Sequence, residues 1–385
     1  MNEFDYYQRQ IILGEIGKSG QEKFKKTSAL VVGAGGLGHP AACYLAAAGI
    51  GKISVVDFDC VEMSNLNRQV LFSPKDVGKP KAEVLTQRIK KQNPFIEVVS
   101  INEKVTFDNV AKLLEEVDVV VDCCDNFATK FLLHDFSFLM KKDLVQGSIY
   151  KYGGQLQVFP FKKELEKKPS HDFSKNEKVI CLRCLWPEIP KDDCFLSCAE
   201  VGVVGAVVGA IGSMQAMEVV KLAAGLGSEN SFGKTVTFSF LDNDVQKIGW
   251  KKNPNCFLCC SDDVDLKKEM YQPILETEND EKKQLRKDYE LVGLQQENLS
   301  LIDIRECDEI ENQTTKQLLN YRPKHLPFSD FENWRNDLDT ASQYLFVCSK
   351  GIRSGRVVQW FRENKKEDGN NFFSLYGGLD FYDDH

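Results

Sequence analysis

Residues 31–59 read VVGAGGLGHPAACYLAAAGIGKISVVDFD. A run of apolar residues meets a glycine-rich turn, a small-residue helix follows, and a second apolar run ends in aspartate. Gly33, Gly35 and Gly38 form the pattern G-x-G-x-x-G, with Gly36 as a further glycine inside it. Phosphate binding calls for such a turn, because free N–H groups at a helix N-terminus attract anions and glycine permits close backbone approach. Asp57 lies 19 residues after Gly38, at the end of the second strand, where a carboxylate can hold ribose hydroxyls. The stretch predicts a nucleotide with a free ribose. It does not choose between NAD and ATP.

The sequence around it predicts a parallel sheet. SALVVGAGG, KISVVDFD, EVVSINEKV and VDVVVDCCDN are near-continuous apolar strands, separated by helical segments such as KAEVLTQRIKKQN. Strands of that kind are covered by helices on both faces. Residues 161–198 are charged and cysteine-rich and read as a functional loop. Helix returns in VGAVVGAIGSMQAMEVVKLAAG, and TVTFSFLDND is a short β segment. Residues 261–288 are dominated by charge and read as a linker, after which a second small α/β pattern occupies residues 289–385. A chain of 385 residues accommodates these parts, with a first domain over residues 1–260.

The net charge of −8, with Lys and Arg spread along the chain, argues against a nucleic-acid or membrane-surface protein. MNEFDYYQRQ is polar and acidic, unlike a secretory signal, and the glycine-rich run from Val201 to Ala210 reads as a buried helix. The expectation is a cytoplasmic protein with no membrane contact. Thirteen cysteines in a reducing compartment are more readily metal ligands or catalytic thiols than disulfides. Cys181 and Cys184 form one CxxC pair, Cys256 and Cys259 another, which matches tetrahedral zinc. The separation between the pairs exceeds that of a compact zinc ribbon, so spacing alone leaves four unrelated thiols as the alternative. Cys260 reads as a bystander, and Cys43, Cys60, Cys123 and Cys124 as small core or strand residues.

Downstream, SNLNRQ (residues 64–69) supplies Arg68, and GKPKA (residues 78–82) supplies Lys79 and Lys81. Hydride transfer has little use for extra cations, whereas charge building on a triphosphate requires them. In DCCDN, Asp122 and Asp125 stand at the carboxyl end of a strand, where one can hold Mg²⁺ and an Asp or Asn can cap the next helix.

GAGGLG, VVDFD, SNLNRQ, GKPKA and DCCDN, in this order, resemble the ThiF/MoeB/E1 superfamily, whose Rossmann-like domains activate ubiquitin-like and sulfur-carrier proteins. The resemblance implies adenylation of a carrier's C-terminal glycine carboxylate from Mg-ATP, with release of pyrophosphate. It implies that Gly36 belongs to the phosphate loop, Asp57 to the ribose, and Arg68 and Lys81 to the triphosphate. Asp59, Asn65 and Asn126 would line the nucleotide site and Asp125 would hold magnesium. Arg9, in YYQRQIIL, matches an arginine that reaches the neighbouring subunit's phosphates, which implies a homodimer. Members carry two CxxC pairs at these places, which supports zinc at Cys181, Cys184, Cys256 and Cys259. Cys198, before a glycine-rich helical run, matches a cysteine of a mobile crossover loop that attacks the acyl-adenylate or takes part in sulfur transfer; Cys194 is a rival. Lys130 stands where arginine is common, and the segment before Cys181 is longer than usual.

Near the C-terminus, LIDIRE (301–306), KHLPF (324–328) and CSKGIRSG (348–355) resemble a rhodanese-homology domain. A cysteine leaving a buried strand enters a loop of Ser, Lys, Gly and Arg whose N–H groups can surround one sulfur. Cys348 is the candidate nucleophile, with Gly351, Arg353 and Ser354 as its cradle; a buried strand-end cysteine beside a glycine turn is the alternative. KHLPF departs from the usual His-Ile-Pro-Gly-Ala run, and the customary tryptophan after YGGLDFY is missing. A phosphatase is disfavoured because one residue fewer separates Cys348 from Arg353 than such enzymes need.

The resemblances together imply an α/β chain in which an adenylation domain is fused to a rhodanese-like sulfurtransferase. Its partner would be a small ubiquitin-like carrier of the MoaD or ThiS kind ending in Gly-Gly, with sulfur from a donor such as a cysteine desulfurase. The pathway would be molybdopterin or thiamine biosynthesis, or tRNA thiolation. A NAD-dependent oxidoreductase is the alternative among enzymes. A non-catalytic scaffold of an E1-type heterodimer is opposed by the intact set Arg9, Asp57, Arg68, Lys81 and Asp125.

Overall fold

A computed structural model describes residues 2–162, 180–190, 202–227, 232–261, 264–271, 299–312, 323–339, 342–349, 352–364 and 371–374. Apolar strands that alternate with helices give two compact units, Met1–Pro273 and Ile274–His385, each with its own sheet. In the first, eight strands run in the order β3-β2-β1-β4-β5-β6-β7-β8. β1 (Ser28–Val32), β2 (Lys52–Val56), β3 (Glu97–Ile101), β4 (Val119–Asp122) and β5 (Asp143–Tyr150) are parallel. β6 (Gly153–Phe159), β7 (Lys234–Ser239) and β8 (Asp244–Gly249) extend the sheet antiparallel. All of β4 is buried, as are β1 and β2 after their first residue, which is why those strands read as unbroken apolar runs. The pleat sends neighbours to opposite faces: Val31 joins Ile53, Leu85 and Val208 in one core layer, Leu30 joins Phe131 and Phe159 in the other.

Strand order reverses between β1 and β4, so the carboxyl ends of those two strands bound a crevice of the kind that takes ligands in open α/β sheets. Helices α1 (Glu3–Ile11) and α2 (Gly17–Lys26) precede β1, and α3 (Gly38–Ala48), α4 (Lys81–Gln92), α5 (Val110–Glu115) and α6 (Phe127–Leu139) follow β1, β2, β3 and β4. The helix expected near Val201–Ala210 runs Gly205–Ala224; its length and mean hydropathy of 1.3 would permit a membrane span. In this fold it is a core helix. Val207, Val208, Ile211 and Val219 are buried, and a Cβ on Gly212 would fall 2.4 Å from the Leu37 carbonyl oxygen.

The sequence reading missed the hairpins of the antiparallel half. β5 turns into β6 at Lys151–Tyr152, with Lys151 at φ 52°, a conformation that usually draws Asn or Gly. Of the stretch read as linker, residues 264–271 belong to the first unit, and Tyr271 is buried with its hydroxyl donating to Asp135 Oδ2 at 2.6 Å.

The second unit carries a parallel sheet in the order β10 (Lys324–His325), β9 (Leu299–Asp303), β11 (Gln343–Val347), β12 (Phe372–Ser374). The amphipathic helix Ile352–Asn364 supplies Val357, Val358 and Phe361 to its core, where the Phe361 and Phe372 rings stack at 4.0 Å.

Candidate nucleotide, metal and sulfur sites

The four glycines of the first loop do different things. Gly33 has φ 98°, and a Cβ there would meet the Cys123 carbonyl oxygen at 2.9 Å; at Gly38 it would meet the Gly33 oxygen at 1.9 Å. Both positions let loop, helix and β4 close on one another. A Cβ on Gly36 would sit 3.1 Å from Val208 Cγ1, so this residue, expected at the phosphates, packs against the long helix. Gly35 alone is open, its nearest neighbour being Gln69 Nε2 at 4.0 Å.

Asp57 straps the end of β2 to this loop: Oδ2 accepts the Ala34 N–H at 2.6 Å and Oδ1 the Asp59 N–H at 2.8 Å. Burial raises its pKa, against the pull of those two N–H groups and of Lys81. Each carboxylate oxygen keeps a second lone pair for a ribose hydroxyl. Lys81 opens α4, its N–H donating to the Asp59 carbonyl and its Nζ to Asp59 Oδ2, both at 2.9 Å. With its side chain only 10% exposed, Lys81 is a nearly buried cation held at this crevice by a single carboxylate. One residue that sequence reasoning passed over lies beside it. His39 is fully buried, its Nδ1 accepting the Leu71 N–H at 3.2 Å, and burial followed by the Lys81 charge pushes its pKa down to about 3. The only sign of it in the sequence is a histidine directly after the last glycine of the motif.

Arg68 folds along its own segment, Nη1 donating to the Ser64 carbonyl at 2.8 Å and to Asn67 Oδ1 at 3.1 Å. Asn65 is buried and caps that segment through the Glu62 N–H at 3.2 Å, a structural duty beside the nucleotide-lining role expected of it. Lys79 pairs with Asp76 at 3.4 Å and is half exposed. The structure separates the two carboxylates of DCCDN. Asp122 is fully buried and committed, accepting from Lys130 Nζ at 3.1 Å, Gln146 Nε2 at 2.9 Å and the Cys124 N–H at 2.9 Å. Asp125 is exposed and has no bonded partner among the described residues, which suits a cation ligand. Asn126 caps α6 through the Thr129 N–H at 2.8 Å. Arg9 is exposed in the last turn of α1 (Glu3–Ile11) and bonds to nothing among the described residues.

The two CxxC pairs, 75 residues apart, converge. Sulfur–sulfur distances are 3.8 Å for Cys181–Cys184, 3.5 Å for Cys181–Cys256 and 3.4 Å for Cys184–Cys259, and all four sulfurs lie within 4.8 Å of one another. A tetrahedral zinc with bonds of about 2.3 Å spaces its sulfurs by about 3.8 Å, so the thiol set fits that ion. Hydrogen bonds from the other three thiols hold Cys184 well below the ordinary thiol range, while burial pushes Cys181 up. Cys260 lies beside the cluster, its sulfur 3.8 Å from Cys259.

Behind the cysteines sits a polar network that no sequence signal announced. Arg183, between the two cysteines of the first pair, is fully buried and donates to Asp135 Oδ2 at 2.7 and 3.0 Å. Its guanidinium lies 4.6 Å from the Phe131 ring centroid. His134 Nε2 accepts the Leu182 N–H at 2.9 Å, so its proton sits on Nδ1 and points at Asp135 Oδ1, 2.8 Å away. Burial holds that imidazole neutral, its pKa lowered despite the carboxylate.

In the second unit Cys348 directly follows β11 and is 1% exposed. Its sulfur meets the Ser354 hydroxyl at 3.3 Å and receives the Ser354 N–H at 3.4 Å, and Ser374 donates to that hydroxyl at 2.8 Å. Arg353, expected against the sulfur, instead forms a two-pronged ion pair with Glu309. Asp303 and Arg305 of LIDIRE pair with each other, Nη2 to Oδ2 at 2.8 Å, and His325 Nε2 lies 2.8 Å from the Arg305 carbonyl. Cys60, read as a core or strand thiol, is exposed. Gly351, Cys194 and Cys198 lie outside the described residues.

The chain resembles known proteins in sequence and in fold. The profile of the ThiF family matches residues 7–258. The chain is 40% identical over 257 residues to a sulfur carrier protein adenylyltransferase of Thermus thermophilus, covering 67% of this chain and 91% of that protein. It is 34% identical over 387 residues to the adenylyltransferase and sulfurtransferase MOCS3 of Aedes aegypti, covering 96% of this chain and 84% of that one. Among solved structures, E. coli MccB with ATP superposes with a TM-score of 0.51 at 23% identity, over 62% of this chain and 68% of that one, which is a likeness of fold. The Rossmann-like sheet, its glycine loop and the match over most of the first unit together place the chain in the ThiF family.

Proposed function

We propose that this chain adenylates the C-terminal carboxylate of a small ubiquitin-like sulfur-carrier protein and then delivers sulfur to the activated acyl group. The observation that carries the reading is the combination of a nearly buried Lys81, an open glycine, Gly35, and a carboxylate with no partner among the described residues, Asp125, at the carboxyl edge of one parallel sheet. A hydride-transfer site gains nothing from that set, whereas an ATP-splitting site uses each member. The relatives named above as adenylyltransferases and sulfurtransferases support the same reading.

ATP is a substrate here. A carrier carboxylate oxygen attacks the α-phosphorus, the bond to the β-phosphate oxygen breaks, and pyrophosphate leaves. Gly35 lets the backbone approach the phosphates, Asp57 accepts from the ribose, and Lys81 with Arg68 offsets charge on the leaving group. Magnesium, held by Asp125, would neutralise phosphate oxygens. Zinc, held by Cys181, Cys184, Cys256 and Cys259, would cross-link the chain and take no part in the chemistry. The acyl-adenylate then meets sulfur carried as a persulfide on Cys348. The outer sulfur attacks the acyl carbon and AMP leaves; a second thiol, for which Cys198 is the candidate, attacks the Cys348 sulfur of the resulting acyl disulfide, the thiocarboxylate leaves with the electron pair, and a thiol reductant reopens the disulfide formed between the two cysteines. A cysteine desulfurase is the proposed donor, a homodimer the proposed assembly through Arg9, the cytoplasm the proposed compartment, and molybdopterin or thiamine biosynthesis the proposed setting. ATP–pyrophosphate exchange that requires a Gly-Gly carrier tests the first step. The reading fails if Asp125→Ala and Lys81→Ala leave exchange at the wild-type rate.

A further inference from the structure

Glu309, in the short helix Cys307–Asn312, is a heavily engaged carboxylate of the second unit. Oε2 accepts the Glu306 N–H at 2.8 Å and Arg353 Nη1 at 2.6 Å; Oε1 accepts the Ser349 hydroxyl at 3.2 Å and Arg353 Nη2. Ser349 directly follows Cys348, and Arg353 directly precedes Ser354, whose N–H touches the Cys348 sulfur. Glu309 thus holds Ser349 and Arg353, the neighbours of Cys348 and of the Ser354 that contacts its sulfur. The pair is largely withdrawn from water, with side-chain exposures of 15% for Arg353 and 29% for Glu309, so solvent does little to weaken the cancellation of charge.

We propose that Glu309 is a specificity-determining residue: by neutralising Arg353 it excludes small free dianions as sulfur donors and reserves Cys348 for sulfur already carried on a thiol. This rests on the reading of Cys348 as the sulfur acceptor. With a persulfide donor, the Cys348 thiolate attacks the outer sulfur, the donor's S–S bond breaks, and the donor thiolate leaves with the electron pair. One thiolate replaces another, and the loop needs no extra cation. With thiosulfate, the same attack on the outer sulfur expels sulfite, which departs with two negative charges from a loop whose arginine is already paired. Both reactions transfer zero-valent sulfur and consume no external oxidant. A loop built for the dianion would present its arginine unpaired, as anion sites do.

The test uses the full chain, with thiosulfate and cyanide as one reaction and cysteine desulfurase with cysteine as the other. Glu309→Gln keeps shape and one acceptor oxygen but leaves Arg353 uncompensated, so KM for thiosulfate should fall about tenfold with kcat within about twofold. Glu309→Asp, which keeps the charge, should hold the wild-type KM within about twofold, and desulfurase-driven loading of Cys348 should change by less than about twofold in either variant. An unchanged or raised thiosulfate KM in Glu309→Gln overturns the proposal, as does loss of desulfurase-driven loading in that variant. Cys348→Ala separates the underlying reading, since sulfur transfer that survives it refutes the acceptor role whatever Glu309 does.

Discussion

Gly38→Ala and Gly35→Ala, three residues apart in one motif, should fail in opposite ways. A Cβ on Gly38 would fall 1.9 Å from the Gly33 carbonyl oxygen, and both sides of that clash are backbone. No side chain can rotate away, so the loop must open, at a cost of about 3 kcal/mol or more from a total stability of about 5–15 kcal/mol. A Cβ on Gly35 meets nothing nearer than Gln69 Nε2 at 4.0 Å, and its backbone is not in the left-handed region. Alanine there should leave folding unchanged or stabilise it by about 0.5 kcal/mol through the unfolded chain. The added methyl, however, would project into the open space proposed for the phosphates, so KM for ATP should rise about tenfold or more. Urea unfolding followed by circular dichroism reads the first quantity and ATP–pyrophosphate exchange the second. A Gly35→Ala protein destabilised as much as Gly38→Ala, or one with the wild-type KM for ATP, would refute this division of labour.

Three other outcomes follow from buried groups. His39 has its pKa pushed down to about 3 against an unfolded value of about 6.5, so the stability it contributes is whole above pH 6.5 and lost as pH falls toward 3. At pH 5 that loss is about 2 kcal/mol, and urea midpoints at pH 7 and pH 5 should show His39→Ser lacking it; equal pH slopes would contradict the assignment. Lys130→Met strands the fully buried Asp122 and should cost about 3–5 kcal/mol, most of it recovered in the double variant Asp122→Asn/Lys130→Met, with thermal unfolding as the check. Elemental analysis should find one zinc per chain, lost in Cys184→Ser, whereas Tyr271→Phe should retain the metal and lose about 1 kcal/mol through its bond to Asp135.

The parallel core was legible because β1, β2 and β4 are buried on both faces and therefore apolar without interruption. Of the antiparallel half, only β7 was legible, in TVTFSFLDND. The β5–β6 turn uses Lys151 where Asn or Gly would have signalled a hairpin, and β8 is exposed at every residue. The motifs located the candidate site but could not assign duties within it. DCCDN offers two carboxylates, and which one is free depends on Lys130 and Gln146, 8 and 24 residues away from Asp122. The glycines looked equivalent until Cys123, Val208 and the Gly33 carbonyl filled the space beside three of them. Glu309 sat unremarked in an acidic run, because only the fold brings it to Arg353 across 44 residues. The CxxC spacing left zinc undecided, and the convergence of four sulfurs within 4.8 Å supplies the geometry that spacing lacks.

The most direct test of the account is mass spectrometry of a Gly-Gly-ended sulfur carrier incubated with this chain, Mg-ATP, a cysteine desulfurase and cysteine. The carrier mass should shift by replacement of one carboxylate oxygen with sulfur, only with ATP present, and Asp125→Ala and Cys348→Ala should each abolish the shift. A carrier that stays unmodified and supports no pyrophosphate exchange, while the chain binds NAD tightly, would contradict it.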